Sequence, residues 1–520
     1  MSTFAFPFQF QFQSPFKFFV QPGRWVRMVA FLMLVTCSIA GCVGGARAQN
    51  KPADVQTVAQ MAANRAANRL AKPAPLVPIT TFLAMLEPNT RLSEASFARV
   101  VADWRDAYAP MLLEMLGLMA SAYTESLVVE HLQAISGIAS RDINQLYAWV
   151  WSQNFAPHPD YAEFKARLYE PIDPRFRDYF GNRPQTNIRL DEIRWGGVRR
   201  DGIPPLKNPA MLAAHEATYL ADTDIVFGVA LPRPAANGET IGNRKLDATA
   251  DEKLDIRAYP KRILAWHEMF KDQIAGREVN GVYCTLCGAM ILYDTTVSGK
   301  QHELGTSGFL YRSNKLMYDH ATRSLWSTFD GKPVVGALVG KGIVLQTLYV
   351  VTTTWGEWKK RHPTTTVLSP QTGHERDYTE GAAYRDYFAT DRLMFGVPKL
   401  DDRLSNKAEV LALRGIRPGD EVAISVEFLM RHPVHPVQLG PRQLVVLTDA
   451  SGANRVFESG SVRFVSYNQL STAQDAQGRT WTLAEDRLIG PGGQVLKRAS
   501  AHRAFWFGWY SAYPNTRLVR

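Results

Sequence analysis

Cysteine is scarce in this chain, with four residues in 520. That excludes a disulfide-dense scaffold. Cys37 and Cys42 fall at the end of an apolar leader, so the body of the chain keeps only Cys284 and Cys287, and a closed four-cysteine zinc site within one chain is excluded too. No five consecutive residues are all Lys or Arg. The formal charge of +10 owes part of its excess to Lys17, Arg24, Arg27 and Arg47, in or beside a leader with no acid. Nucleic-acid binding therefore has no footprint here. Long apolar runs are missing as well, because the stretch from Met28 to Ile39 is too short to cross a bilayer comfortably. What is present is 46% hydrophobic and 21% charged, the balance of an ordinary globular chain long enough for a sizeable core.

Arg24 and Arg27, the apolar run behind them and the small residues that follow have the three-part pattern of a secretory signal. Two cleavage sites compete. Ile39-Ala40-Gly41-Cys42 resembles a lipobox and would leave Cys42 lipidated, whereas Ala46-Arg47-Ala48 fits the small-x-small rule and would release a soluble protein. Both readings place the mature protein outside the cytoplasm, in the periplasm or exported, touching a membrane only through the signal or a lipid anchor.

Past the leader (1–48) and an Ala/Gln/Lys-rich spacer (49–79), apolar residues recur at helical spacing over 80–180. That region reads as a bundle or α-solenoid-like domain. A Pro/Arg/Asp-rich connector (181–219) leads to short strands and frequent turns. Two stretches then echo one another. Trp355-Gly356-Glu357-Trp358 precedes Pro363 by five residues, and Trp506-Phe507-Gly508-Trp509 precedes Pro514 by the same interval. Trp326 and Trp481 lie upstream at similar offsets. The pattern predicts an internal duplication, with one repeat at 220–370, a linker at 371–414 and a cysteine-free repeat at 415–520. The expected class is α+β, a helical N-terminal region followed by a β-rich, internally duplicated domain.

The first repeat carries the chemistry. Val279 to Cys284 and Ala289 to Asp294 are β-prone runs around a Cys-Thr-Leu-Cys-Gly turn, read as strand, turn, strand. Three readings of Cys284 and Cys287 stand side by side. The pair can cycle between dithiol and disulfide with an external redox or protein partner, since the mature chain has no further thiol apart from Cys42. It can form half of a zinc or copper site completed by His267, His302 or His320. It can also be a permanent structural disulfide, leaving a non-enzymatic interaction module. His267, on a short helix expected over Lys261 to Phe270, is a catalytic or ligand candidate or a plain packing residue. Glu268 beside it either orients that imidazole or faces solvent. Asp319 either positions a proton or cation with Tyr318, or satisfies a turn.

Arg257-Ala258-Tyr259-Pro260, Trp266-His267-Glu268, the cysteine turn, the run Ser313 to Asp319, Ser324-Leu325-Trp326-Ser327 and Thr353-Thr354-Trp355 together resemble the bacterial family called domain of unknown function 3179. The resemblance covers roughly 200–520. In that family the turn usually reads Cys-Pro-Leu-Cys-Gly, and Thr285 replaces the proline here. Some members are recorded as selenoproteins, which implies redox work by Cys284 and Cys287. The resemblance further implies that Arg312, Ser313 and Asn314 line the same cleft; Arg312, Asn314, Tyr318 and Asp319 are the substrate-binding candidates. It supplies no reaction, substrate or cofactor.

Overall fold

Ser121 opens the longest described helix, Ala122–Ser136, by accepting the Thr124 N–H on its hydroxyl, and Gly137 closes it in the left-handed region. The computed structural model describes residues 75–140, 142–234 and 254–520. The leader, Cys42 and nearly all of the spacer, along with most of the loop read between Pro232 and Glu252, lie outside the described residues. Short helices follow one another from Ile79–Ala84 to Arg177–Phe180 and pack around Phe82, Val100, Tyr108, Met111, Leu112, Val128 and Leu132. Glu114 sits in this core against Lys165, Tyr161 and Tyr169, a buried charge satisfied on every side. Trp151 is core, as tryptophans at helical spacing usually are. None of the described helices is long and apolar enough to cross a membrane. Residues Pro78–Arg520 make one compact unit.

The β-rich part repeats a single order of elements. Strands Ile225–Pro232 and Leu254–Pro260 lead into helix Lys261–His267, then strands Met269–Ile274, Arg277–Cys284 and Ala289–Asp294. After five more strands of three or more residues, Val351–Thr354, helix Trp355–Arg361 and Thr366–Leu368 close the set. The second set begins with Glu409–Leu413, Val422–Ser425 and helix Val426–Arg431, and ends with His502–Phe505, helix Trp506–Ala512 and Arg517–Val519. In each set the penultimate strand pairs with the first, the first with the second, and the second takes the last in parallel. Trp355 and Trp506 each open the closing helix. The second tryptophan of each motif donates its indole N–H seven residues ahead: Trp358 to Thr365 and Trp509 to Thr516, both at 3.0 Å. Trp326 and Trp481 lie buried in corresponding strands.

The structure departs from the sequence reading at three places. Helix Lys261–His267 stops before Phe270 because Glu268 turns left-handed at φ 55°, and Met269–Ile274 continues as a strand. The stretch read as a connector supplies Ile193–Trp195, Leu206–Lys207 and Met211–Ala213, each an edge strand of a first-set sheet. Strands of two or three residues are too short to show a period. Finally, the second set opens with Glu409–Leu413, inside the segment read as linker.

The cysteine hairpin is buried on both faces. Val282, Cys284, Ala289, Ile291 and Tyr293 point into a core shared with Val410, Phe505 and Trp506 of the second set. Val279, Tyr283, Met290 and Leu292 point into the core around Phe270 and Ile263. That is why the runs are apolar at nearly every position instead of alternating. Gly281 sits where a Cβ would fall 2.1 Å from the Phe270 ring. Gly281→Ala is therefore expected to cost about 1–3 kcal/mol of stability by overpacking, measured by denaturant unfolding, and no loss would show that Phe270 can move aside.

Candidate functional site

Residues Thr285 to Gly288 turn the hairpin between paired Cys284 and Ala289, with Gly288 at φ 59°. Both thiols are free and buried, Cys284 at 2% exposure and Cys287 at 0%. The second set roofs the turn. The Phe505 N–H donates to the Cys287 carbonyl at 2.7 Å, and at Gly508 a Cβ would lie 3.1 Å from Cys287 Cβ and 3.3 Å from its Sγ.

A second hairpin brings the polar contacts. Strands Leu304–Tyr311 and Asn314–Asp319 are joined by Arg312 and Ser313, at φ 48° and 67°, the two positive values that a tight two-residue hairpin requires. Its tip meets the sulfurs. Asn314 Nδ2 donates to Cys287 Sγ at 3.4 Å, and Cys287 Sγ donates to the Ser313 carbonyl at 3.3 Å. The segment from Tyr378 to Val397 lies across the pair. Tyr387 OH donates to the Leu286 carbonyl at 2.7 Å, and the Phe395 carbonyl accepts from Ser313 Oγ at 3.2 Å. Asn144 of the helical region holds this strap by accepting the Gly396 N–H at 2.9 Å.

The two thiols are driven apart. Burial would raise the pKa of Cys284, but the Cys287 thiol and the backbone N–H groups of Lys315 and Cys287 stabilise its thiolate, and the net direction is down. Burial, the hydrogen bond to Cys284 and the charge there push Cys287 well up, against the Asn314 amide. A carboxylate completes the surroundings. Glu268, only 8% exposed, accepts from Lys315 Nζ at 2.8 Å, Thr285 Oγ1 at 3.0 Å and Tyr384 OH at 3.1 Å.

The sequence candidates divide. Cys284, Cys287, Ser313 and Asn314 converge. Arg312 instead grips Glu192 through Nε and Nη2, at 2.7 and 3.1 Å, and donates to the Ser511 carbonyl, tying three parts of the chain together. Tyr318 donates to Asp201 at 2.5 Å, and Asp319 accepts from His302 and from the Ala321 and Thr322 N–H groups, a satisfied turn aspartate. Both lie four or five residues along an extended strand from Asn314, about 13 Å or more away.

His267 is fully buried, with Nδ1 at 2.9 Å from the Pro204 carbonyl and Nε2 at 2.6 Å from Tyr378 OH. Burial pushes its pKa down to about 4, with His374 and Arg376 adding to the shift. Its ring nitrogens are thus engaged away from the sulfurs, and Glu268 neither orients it nor faces solvent. Among the described residues no three His, Cys, Asp or Glu side chains are grouped so as to hold a metal ion, and His267 is not brought together with the cysteines. Sequence reasoning missed Lys315, Tyr384, Tyr387 and Gly508. The only signal for Lys315 was its place one residue beyond Asn314.

Fold and site together define an α+β protein with two like β-rich halves and a dithiol enclosed between them. The chain belongs to the family described as "Protein of unknown function (DUF3179)", whose pattern matches residues 250–516, just over half its length. No curated protein and no solved structure matches it.

Proposed function

We propose that the protein is a thiol–disulfide oxidoreductase acting outside the cytoplasm, with Cys284 as the attacking sulfur and Cys287 as the resolving one. The observation that carries this reading is the placing of two free, buried thiols in one tight turn against a polar hairpin tip, Asn314 and Ser313 bonding Cys287, with the Cys284 pKa directed down and that of Cys287 up. In the reductive direction the Cys284 thiolate attacks one sulfur of a partner disulfide. An S–S bond forms to Cys284, and the partner's other sulfur leaves as thiolate. Cys287 then loses its proton and attacks Cys284 Sγ, expelling the second partner thiolate and leaving a Cys284–Cys287 disulfide. Two electrons pass to the partner, whose two sulfurs take up two protons. Because neither sulfur is exposed, exchange proceeds when the strap between Tyr378 and Val397 parts from the turn.

Redox titration with thiol mass-labelling of the purified chain tests the proposal. The pair is expected to titrate as one two-electron couple with a potential above about −300 mV, the region of exchanging disulfides. A lower potential would mark the bond as structural and support a non-enzymatic interaction module. A pair that never oxidises would remove the redox reading.

A further inference from the structure

The carboxylate of Glu268 binds one residue from each of three segments around the thiols. Thr285 Oγ1 belongs to the cysteine turn, Lys315 Nζ to the hairpin whose tip bonds Cys287, and Tyr384 OH to the strap. Glu268 also uses its backbone, accepting the Tyr283 N–H at 2.8 Å next to the first cysteine. To reach this position the residue adopts φ 55° at the end of helix Lys261–His267, a conformation with a steric cost for a non-glycine residue. Glu268 and Lys315 are 8% and 3% exposed, so the pair is screened little by solvent. A buried ion pair is a poor device for stability, since apolar residues of the same volume usually serve as well. Its placement between the cysteine turn, the neighbouring hairpin and the strap is what needs an explanation.

We propose that Glu268 and Lys315 are positioning residues that set the ionisation of the dithiol, the carboxylate opposing a negative Cys284 and the ammonium compensating it. This deepens the redox reading above and rests on it. Lys315 on the neighbouring hairpin and Tyr384 on the strap bond the carboxylate directly, and Cys284, Cys287 and Tyr283 on the cysteine hairpin lie within reach of its charge. His267, next in sequence, is turned to Pro204 and Tyr378. Among the charged side chains at the site, Lys315 alone is cationic in direct contact with Glu268, so changing either partner alters the charge balance at the sulfurs. A like charge nearby disfavours an anion and an opposite one favours it, each by about one pH unit or more at close range.

The experiment is a pH titration of thiolate ultraviolet absorbance on the full mature chain, with Cys284→Ser as the blank that assigns the signal. Glu268→Gln keeps an oxygen for Thr285 and Tyr384 but loses the charge, and is expected to move the Cys284 midpoint down by about one unit. Lys315→Met keeps the backbone N–H and is expected to move the midpoint up, with Lys315→Arg restoring it. A merely structural pair would lower the melting temperature in all variants and leave the midpoint alone. Unchanged midpoints in folded variants, or shifts of the same sign in Glu268→Gln and Lys315→Met, overturn the proposal. Should Glu268→Gln fail to fold, the contrast between Lys315→Met and Lys315→Arg decides. The absorbance reads ionisation whether or not a disulfide ever forms. A protein that shows these shifts but no reversible oxidation would thus retain this inference and lose the oxidoreductase.

Discussion

Cys287→Ser is expected to accumulate a stable adduct with a disulfide probe, and Cys284→Ser to form none. Glutathione disulfide serves as the probe, read by intact mass on the full mature chain. With Cys287 replaced, the Cys284 thiolate still attacks and gains one glutathione, but no second sulfur is present to resolve the mixed disulfide. Serine keeps an O–H beside the Ser313 carbonyl and Asn314, so the site loses its resolving sulfur with little change in shape. With Cys284 replaced, the remaining thiol is the buried one whose pKa is driven well up, and a protonated thiol is a poor nucleophile. The contrast should be about tenfold or more in adduct formation, following the thiolate fraction. Capture by Cys284→Ser and not by Cys287→Ser would reverse the assigned roles. Capture by neither, in proteins that melt as the wild type does, would sink the reaction.

That assignment draws on residues which sequence could show only in part. The hairpin was legible because its two-sided burial leaves a mostly apolar run on each side of Cys-x-x-Cys. The repeated halves were legible through tryptophans, whose bulk and indole N–H need matching surroundings. Lys315 and Glu268 were not, because an ion pair between residues 47 positions apart leaves no periodic mark on either. Gly508 was equally silent. A glycine in a short helix ordinarily reads as a weak point, and only the approach of Cys287 from the other half gives it a purpose. The resemblance drew Arg312, Tyr318 and Asp319 toward the sulfurs along with Ser313 and Asn314, since all lie in or beside one motif. A strand, however, carries its later residues away from the tip and alternates their faces. Arg312, at the turn itself, is spent on Glu192 and Ser511.

The second half bears its own buried charges where the first bears cysteines, and they give the largest expected loss of stability. The turn between Arg442–Thr448 and Asn454–Glu458 corresponds to the cysteine turn and presents Asp449. Arg455, 1% exposed, bonds Asp449 at 2.7 Å and Glu485 at 2.8 Å, while Arg498 and His362 reach Glu485 at 3.3 Å. His362 and Arg361, which lies 3.6 Å from Asp449, come from the first half, so the cluster joins the two halves. Arg455→Met is expected to cost about 3–5 kcal/mol, the usual consequence of removing one partner from a buried pair. Burial opposes the Glu485 carboxylate, but Arg455, His362 and Arg498 together hold its pKa well below the ordinary range. A folded-state pKa below the unfolded one adds stability that is full above about pH 4.5 and is lost as the pH falls through the folded value. Without Arg455 the carboxyl rises toward its ordinary value and its contribution shrinks. The gap between wild type and variant should therefore be widest near neutrality and narrow below about pH 4.5. Denaturant midpoints for both proteins across that range provide the measurement. A gap under about 1 kcal/mol at pH 7 would mean that the remaining arginines fully replace Arg455, and one that widens on acidification would mean that Arg455 does not act through the Glu485 carboxylate.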